Sequence, residues 1–482
     1  MSFLDARSAI GPALLALAAG VAGVPAHAAA ESAVATQLRQ FAERLAQLEQ
    51  RNQQLEQELR TLRDQAQPAS PIQAPAATAI PGWGAARLTQ LEQRVDALGR
   101  ATDAGTEVPE EGGLTIEGGV VGVVQHVGPK GAENGQRQTR ANWRGDLELS
   151  MPLGSVAVLG DAALSGFGHL RFGQGGGLGL RSTHTGTVNS VPFEAGAGSE
   201  ETYAIVAQAW AQLTWPLDGD RFNDQPGSRV ELTVGKMDLF GFFDQNEVAG
   251  DEGAQFLNNV FVHNPLLDSG GDIAADAYGL APGARLAWVH EGENSRWGAS
   301  LGVFGAGSAA NFSAGGARPL VIGQLEWSPM QINGEPRGNY RLYAWTNGQT
   351  ADLAGNAQRH SGWGLSLDQR VGREWKLFGR WGQRSAGQSA FDRALTLGFE
   401  HGGRAWGRGT DAVGLAVGWL RTDPALRVAG QFGQETNVEA YYRFKLNDHL
   451  ELTPDLQWVR RAGGDPTAAS FAVFGVRAAI GF

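Results

Sequence analysis

The stretch "EAYYRFKLNDHLELTPDLQWVRR", Glu439 to Arg461, holds two alternating runs joined by the short link Leu446 to His449. In the first, Ala440, Tyr442, Phe444 and Leu446 alternate with Glu439, Tyr441, Arg443 and Lys445. In the second, Leu450, Leu452, Leu456 and Trp458 alternate with Glu451, Thr453, Asp455 and Gln457. Successive side chains of a strand point to opposite faces, so each run offers one face to hydrocarbon and the other to water. "REWKLFGRW", Arg373 to Trp381, repeats the pattern, with Trp375, Leu377 and Trp381 set against Glu374, Lys376, Phe378 and Arg380. A soluble sandwich or a transmembrane barrel could produce such alternation. The chain's end, "SFAVFGVRAAIGF", separates them: Phe474, Val476, Ala478 and Ile480 share a face, and the terminal Phe482 is the kind of residue that outer-membrane assembly machinery reads. Together with Trp and Tyr near strand ends, this favours the barrel.

Working outward, candidate strands fall near residues 114–127, 139–152, 155–172, 201–216, 228–238, 283–291, 295–306, 319–328, 336–347, 360–371, 373–382, 392–402, 411–421, 434–446, 448–461 and 470–482. The expected fold is therefore an all-β transmembrane barrel of about 16 antiparallel strands over residues 114–482, preceded by an N-terminal α-helical coiled coil. Short links such as Leu446–His449 are expected as periplasmic turns. The long ones, 173–200 and 239–282, are expected on the other side or folded into the lumen. A barrel of this size is too wide for its own wall side chains to fill, so it should enclose water and serve passage.

The bulk composition agrees. Of 482 residues, 42% are apolar and 18% charged, yet mean hydropathy is −0.23, so the apolar residues are dispersed rather than gathered into spans. A net charge of −11 argues against a nucleic-acid partner, which needs a clustered basic surface. The absence of cysteine excludes disulfides and cysteinyl metal sites.

The N-terminal quarter is organised differently. Residues 1–28 read as a secretory signal, with Arg7, an apolar stretch from Ala9 to Val24 and an Ala26-His27-Ala28 cleavage site; a membrane anchor is the alternative. Residues 31–66 carry a heptad seam: Leu38, Leu45, Asn52 and Leu59 occupy one core position and Phe41, Leu48, Leu55 and Leu62 the other. Asn52 at the seam would fix register, and Leu45, Leu48 and Leu55 would pack beside it in a homo-oligomer. The alternative is an amphipathic helix lying on its own barrel. Residues 67–113 form a Pro- and Ala-rich linker with a short helix at 84–99.

One stretch breaks strand patterning: "GKMDLFGFFDQNEVAGDEGAQFLNNVFVHNP", Gly235 to Pro265. It crowds Lys236, Asp238, Asp244, Asn246, Asp251, Glu252, Gln255 and Asn258 among Phe240, Phe242, Phe243, Phe256 and Phe261. On a soluble surface this would be a solvated loop. In a wide barrel the aromatics can anchor it to apolar patches while the acids and amides narrow the lumen. The nine residues Lys236, Asp238, Asp244, Asn246, Asp251, Glu252, Gln255, Phe256 and Asn258 are its candidate constriction.

This stretch resembles the signature of the carbohydrate-selective porins of Gram-negative outer membranes, the OprB-like family. "GLSLDQRV" with "WKLFGRWG", and "ETNVEAYYRFKLNDHLELTPDLQWV", are similar to the family's late strands. The resemblance implies a sixteen-stranded outer-membrane barrel that passes monosaccharides or similar small neutral solutes down their gradient. The N-terminal coiled coil, expected in the periplasm, lies outside the family's minimal pattern.

Sugars are polyols with apolar ring faces, so a selective wall combines hydrogen-bonding groups with aromatic planes. The inferred lumen wall supplies Arg341, Tyr343, Trp345, Asp368, Arg370, Lys376, Arg380, Glu439, Arg443, Glu451, Asp455 and Gln457. A non-selective porin would also set acids against bases, and a coiled coil serving trimerisation or cell-wall tethering is a further alternative. The expected partners are carbohydrate solutes, outer-membrane lipid and the assembly machinery. No cofactor, metal or catalytic residue is expected. The acids of 244–252 miss the spacing of a calcium loop, "GQGGGLGL" (Gly173 to Leu180) lacks a phosphate cradle's Lys, and no Ser motif accompanies His401 or His449.

Overall fold

The computed structural model describes residues 113–156, 162–192, 202–217, 227–268, 278–305, 318–330, 337–427 and 433–481. The calls on residues 1–28, 31–66 and 84–99, and on Leu45, Leu48, Asn52, Leu55 and Phe482, lie outside the described residues.

Sixteen antiparallel strands close into one barrel, each paired with its neighbours in sequence and the first with the last. They are β1 (Thr115–Val127), β2 (Gln138–Val156), β3 (Ala162–Gln174), β4 (Thr202–Pro216), β5 (Ser228–Asp238), β6 (Leu280–Glu291), β7 (Ser295–Phe304) and β8 (Leu320–Pro329). They continue with β9 (Gly338–Ala351), β10 (Ala357–Val371), β11 (Trp375–Ala386), β12 (Phe391–Gly402), β13 (Ala412–Thr422), β14 (Gln434–Lys445), β15 (Leu450–Arg460) and β16 (Phe471–Gly481). Closure runs from Gly119↔Gly481 to Val127↔Val473, which puts the start of β1 and the end of β16 on one rim, here called proximal.

Period two explains the wall. On β15, Leu452, Leu456 and Trp458 are exposed outward while Thr453, Asp455 and Gln457 are buried inside. On β16, Phe474, Val476 and Ile480 face out and Arg477 faces in. Such an outward apolar surface is stable against hydrocarbon and costly against water, and closure leaves no unpaired strand edge within it. Among the described residues no helix is long and apolar enough to cross a membrane, so crossing falls to the strands. Aromatic pairs ring the wall near the proximal rim: Trp297 with Trp327, Trp327 with Tyr340, Trp375 with Phe399, and Trp406 with Tyr442. This is the interfacial belt expected where amphipathic rings meet headgroups.

The proximal turns are short and locally encoded. Between β14 and β15, Asn447 Oδ1 accepts hydrogen bonds from His449 N and Leu450 N. Between β10 and β11, Gly372 takes a left-handed φ of 66° that a side chain would resist.

The interior differs from an ordinary pore. Its largest buried apolar cluster lies within the barrel, where Phe243, Phe256, Val260, Phe261, Leu266 and Leu267 of the β5–β6 connection pack on inward side chains such as Phe304, Ile322, Tyr343, Phe378 and Tyr441. The connection therefore fills part of the lumen, and the wall beneath it is dry.

Candidate functional site

The inward segment, residues 239–268, starts with a single 3-10 turn, Leu239–Gly241, capped by Asp238, whose Oδ1 accepts from Phe240 N. Near its end is a one-turn helix, α1 (Asn259–Val262), capped by Asn258 through Val260 N. Between them Asp244, Asn246, Glu247, Glu252 and Asn258 have side-chain partners on the wall, while Gln245, Asp251 and Gln255 bond within the segment.

Asp244 is the deepest of these latches. It is fully buried, in a left-handed conformation with φ 55°. Its carboxylate accepts from Asn264 N (2.6 Å), Tyr343 OH (2.6 Å) and Arg380 Nε (3.1 Å). Arg380, on β11, also donates to the carbonyls of Asp244, Ala249 and Phe261, tying three points of the segment to one guanidinium. Arg341, on β9, donates to Gln245 O at 2.8 Å and pairs with Glu326 and Asp368. Asn246 reaches Ser366 Oγ and Leu367 O, and Glu247 N donates to Asp368. Glu247 itself bridges Arg370 and Lys376.

The second half is held similarly. Gln255 Oε1 accepts from Gly250 N and Asp251 N, and its Nε2 donates to Glu247 O. Arg477 donates to Glu252 O and Gln255 O, and Arg443 donates to Ala254 O. Glu439 accepts from Leu257 N (2.6 Å) and Asn258 N (2.9 Å), while Asn258 donates to Gln457. Gln457 donates in turn to Asp455 and to Val188 O, which brings in a second inward segment, residues 175–192. That segment docks on the first through Ser190 N and Oγ to Leu257 O.

These contacts correct two expectations. Asp244, Phe256 and Asn258 were expected to narrow open water, and Arg341, Tyr343, Trp345, Asp368, Arg380, Glu439, Asp455 and Gln457 to line it; all are buried. They do face inward, but the segment lies over them. Lys236 sits on the outward face of β5, out of phase with inward Thr233 and Met237, and its Nζ reaches Val206 O. Its long stem snorkels along the wall instead of reaching the lumen. Arg370, Lys376, Arg443 and Glu451 keep partial exposure inside, with Arg443 and Glu451 3.9 Å apart.

Open space lies on the other side, along β2 to β8. A cavity of about 610 Å³ is bordered by Arg144, His169 and Arg171 on the wall and by Asp238, Asp251, Glu252 and His263 of the segment and its cap. Asp146 accepts from Arg144, Arg171 and His169 at 2.6 to 2.9 Å, and Arg144 continues to Glu252 at 2.6 Å. Burial would push the Glu252 carboxyl up, but Arg144 and Arg171 outweigh it and hold it down to about 2. Asp251 moves the other way, raised by its enclosed position and by the charge of Glu252. His263 stacks on Phe240, 3.7 Å between ring centres. Burial opposes its protonation, yet the neighbouring carboxylates of Asp268 and Asp238 raise its pKa.

A second, smaller cavity, about 170 Å³, is lined by Gln212, Glu231, Arg285, Arg296 and Glu326 on the wall and Gln245 on the segment. Both cavities reach Gly241. Between them on β4 stands Trp210, stacked on Phe167 at 4.8 Å and edge-on to Phe242 at 5.6 Å. A side chain at Gly241 would meet no atom within 4 Å, so the space at Gly241 is open.

The open wall was not anticipated. Arg144, Asp146 and Glu148 in "WRGDLE", and His169 and Arg171 in "GHLRF", alternate with apolar or small residues and could have been read as inward positions.

Residues 166–482 match the family described as "Carbohydrate-selective porin, OprB family". Among curated relatives, Porin AaxA of Chlamydia abortus and of Chlamydia felis are each 25% identical over 157 residues, 32% of this chain. The match spans 34% of the length of those relatives. Among solved structures, a high-pH structure of Pseudomonas putida OprB superposes with a TM-score of 0.59 at 19% identity, covering 77% of this chain and 94% of that one. That superposition shows a shared barrel fold.

Proposed function

The chain belongs to the carbohydrate-selective porin, OprB family, whose barrels are outer-membrane channels, and from that premise we propose that it passes monosaccharides and similar small neutral solutes into the periplasm by passive diffusion. The observation that carries this reading is the pair of polar cavities meeting at Gly241 beside Trp210. The larger has the volume of a small-molecule site. Its carboxylates, guanidiniums and imidazoles are fixed to one another, so they offer oriented acceptors and donors for hydroxyl groups. The Trp210–Phe167 stack supplies the apolar plane that a pyranose face prefers. Conduction requires that no such contact be tight, which suits cavities that open on one another at Gly241. The inward segment is then the constriction, acting through Gly241, Asp251 and Glu252 on its open side.

A second reading, a non-selective porin, is supported by the presence of both charge signs around each cavity. Two measurements in planar bilayers separate them. Added monosaccharide should lower the current of the wild-type channel in a concentration-dependent way; a current indifferent to every sugar tested leaves the general porin. Gly241→Leu should lower conductance several-fold while the barrel keeps its heat-resistant gel mobility. Unchanged conductance would remove solute passage from this gap.

A further inference from the structure

On the outward face of β11 to β14, the register builds a depth profile. Trp375, His401, Val413 and Tyr442 form a row near the proximal rim. Above it come Leu377, Phe399 and Leu415, then Gly379, Leu397 and Val417, then Trp381, Leu395 and Trp419. The next row is polar: Gln383 opposite Arg393, Arg393 opposite Arg421, and Arg421 opposite Gln434. Four two-residue steps at about 3.3 Å per residue span roughly 26 Å along a strand, or about 20 Å of height at a tilt of about 40°. The arginine row therefore sits at the distal edge of the apolar band, where lipid headgroups begin.

Two arginines directly opposite each other on neighbouring strands repel unless an anion intervenes. Asp392, at a register irregularity of β12, supplies one, engaging Arg421 through Nε (2.8 Å) and Nη2 (2.5 Å). Among the described residues, no carboxylate forms an ion pair with Arg393. Its guanidinium lies over the Trp381 ring at 5.3 Å. Among the described residues, neither Arg393 Nε nor Trp381 Nε1, both buried, has an acceptor. A cavity of about 390 Å³ opens between them, bounded by Trp381, Arg393, Leu395, Trp419, Arg421 and Gln434.

We propose that this cavity binds the phosphorylated headgroup of a lipid in the distal leaflet. The phosphate takes hydrogen bonds from the planar fork of Arg393, from the N–H groups of Arg421 that Asp392 does not engage, and from the Trp381 indole. The acyl chains descend over Leu395, Leu397 and Val417. A lipid-borne anion fits better than a free one, because the site opens outward over hydrocarbon-facing residues and away from the lumen. The inward positions of the same strands are held by Ala394, Thr396 and Leu420.

The test is native mass spectrometry of the detergent-purified full chain titrated with diphosphorylated lipid A, with a phosphate-free analogue and with inorganic phosphate as competitor. The wild type should retain the diphosphorylated lipid at least tenfold better than the Arg393→Gln/Arg421→Gln double variant and hardly retain the phosphate-free analogue. Trp381→Phe keeps the apolar ring and loses the donor; it should weaken retention severalfold, and it provides the readout if the double variant fails to fold. Equal retention by wild type and the folded variants would overturn the proposal. So would displacement of the lipid by millimolar inorganic phosphate, which would make this a free-anion site. Channel conductance should not change in any of these variants, since the face lies outside the lumen.

Discussion

Replacing Arg380 with Met keeps the length of the side chain and removes its charge and donors. In the wild type this guanidinium donates to Asp244 Oδ1 and to the carbonyls of Asp244, Ala249 and Phe261, and neither Arg380 nor Asp244 is exposed to solvent. Losing one partner of a buried ion pair costs about 3–5 kcal/mol, because the other charge stays behind uncompensated. The orphaned carbonyls add on the order of 1 kcal/mol each. The docked state is opposed to that extent by roughly 6–8 kcal/mol, about four to six decades in the docking equilibrium. Burial of Phe243, Phe256 and Phe261 holds the segment with a comparable gross energy, about 2 kcal/mol per ring and an upper bound. The expected result is a segment that undocks measurably while the barrel's strand ladder stays closed. Limited proteolysis should cut between residues 239 and 268, and planar-bilayer conductance should rise with added current noise. Adding Asp244→Asn should recover much of the loss, since the cost lies in the lone charge. Wild-type conductance and protease resistance in Arg380→Met, or a double variant worse than the single, would refute this reasoning.

Glu252, held near 2 by Arg144 and Arg171 against an ordinary value of 4.5, contributes on the order of 3 kcal/mol to docking. Because its folded pKa is depressed, that contribution is complete above pH 4.5 and is lost as pH falls through about 2; protease susceptibility of the segment should rise across that window, and a flat profile would exclude the Arg144–Glu252 contact as a latch. Asp251, raised by enclosure and by Glu252, has the opposite sign, so Asp251→Asn should dock the segment more firmly at neutral pH, seen as lower current noise. Gly235→Ala should destabilise the start of the segment by at least 1–3 kcal/mol, since φ is 151° and the added Cβ would stand 2.3 Å from Ala209 O; a thermal midpoint equal to wild type would show that β5 relaxes there freely.

Strand positions were legible wherever the two faces contrast strongly. β14 was expected at 434–446 and runs Gln434–Lys445; β15 and β16 follow within two residues of expectation. β2 ran past its expected end because the register shifts between Pro152 and Gly154, an irregularity with no signature in alternation. Inward and outward faces were also legible, since Arg380, Glu439 and Gln457 all point in as read. What alternation cannot report is whether an inward residue meets water or protein. Asp244 and Arg380 are separated by 136 positions, and only closure of the barrel and inward folding of residues 239–268 brings them within 3.1 Å. Lys236 was misplaced for a local reason: it adjoins the polar segment in sequence, but the pairing of Lys236 with Pro282 keeps it on the outward face.

The two halves of the lumen place different demands on the same residue types. On the β9 to β16 side, Arg380, Arg477 and Glu439 are spent on backbone groups of the segment, so substitution there changes where the segment sits. On the β2 to β8 side, Asp146 and Glu231 are each held between two guanidiniums, yet Glu231 and the arginines that hold Asp146 border open space. Substitution there should change what passes and leave the segment in place. Charge counting over the whole lumen therefore misjudges selectivity. On the proposed path, the dry half would contribute a fixed, mostly paired field and the open half the contacts. The barrel can hold so many buried ion pairs because the closed ladder already carries the fold, so their desolvation needs only to be repaid by placing one segment in one position. On the proposed path, that position would set the width at Gly241.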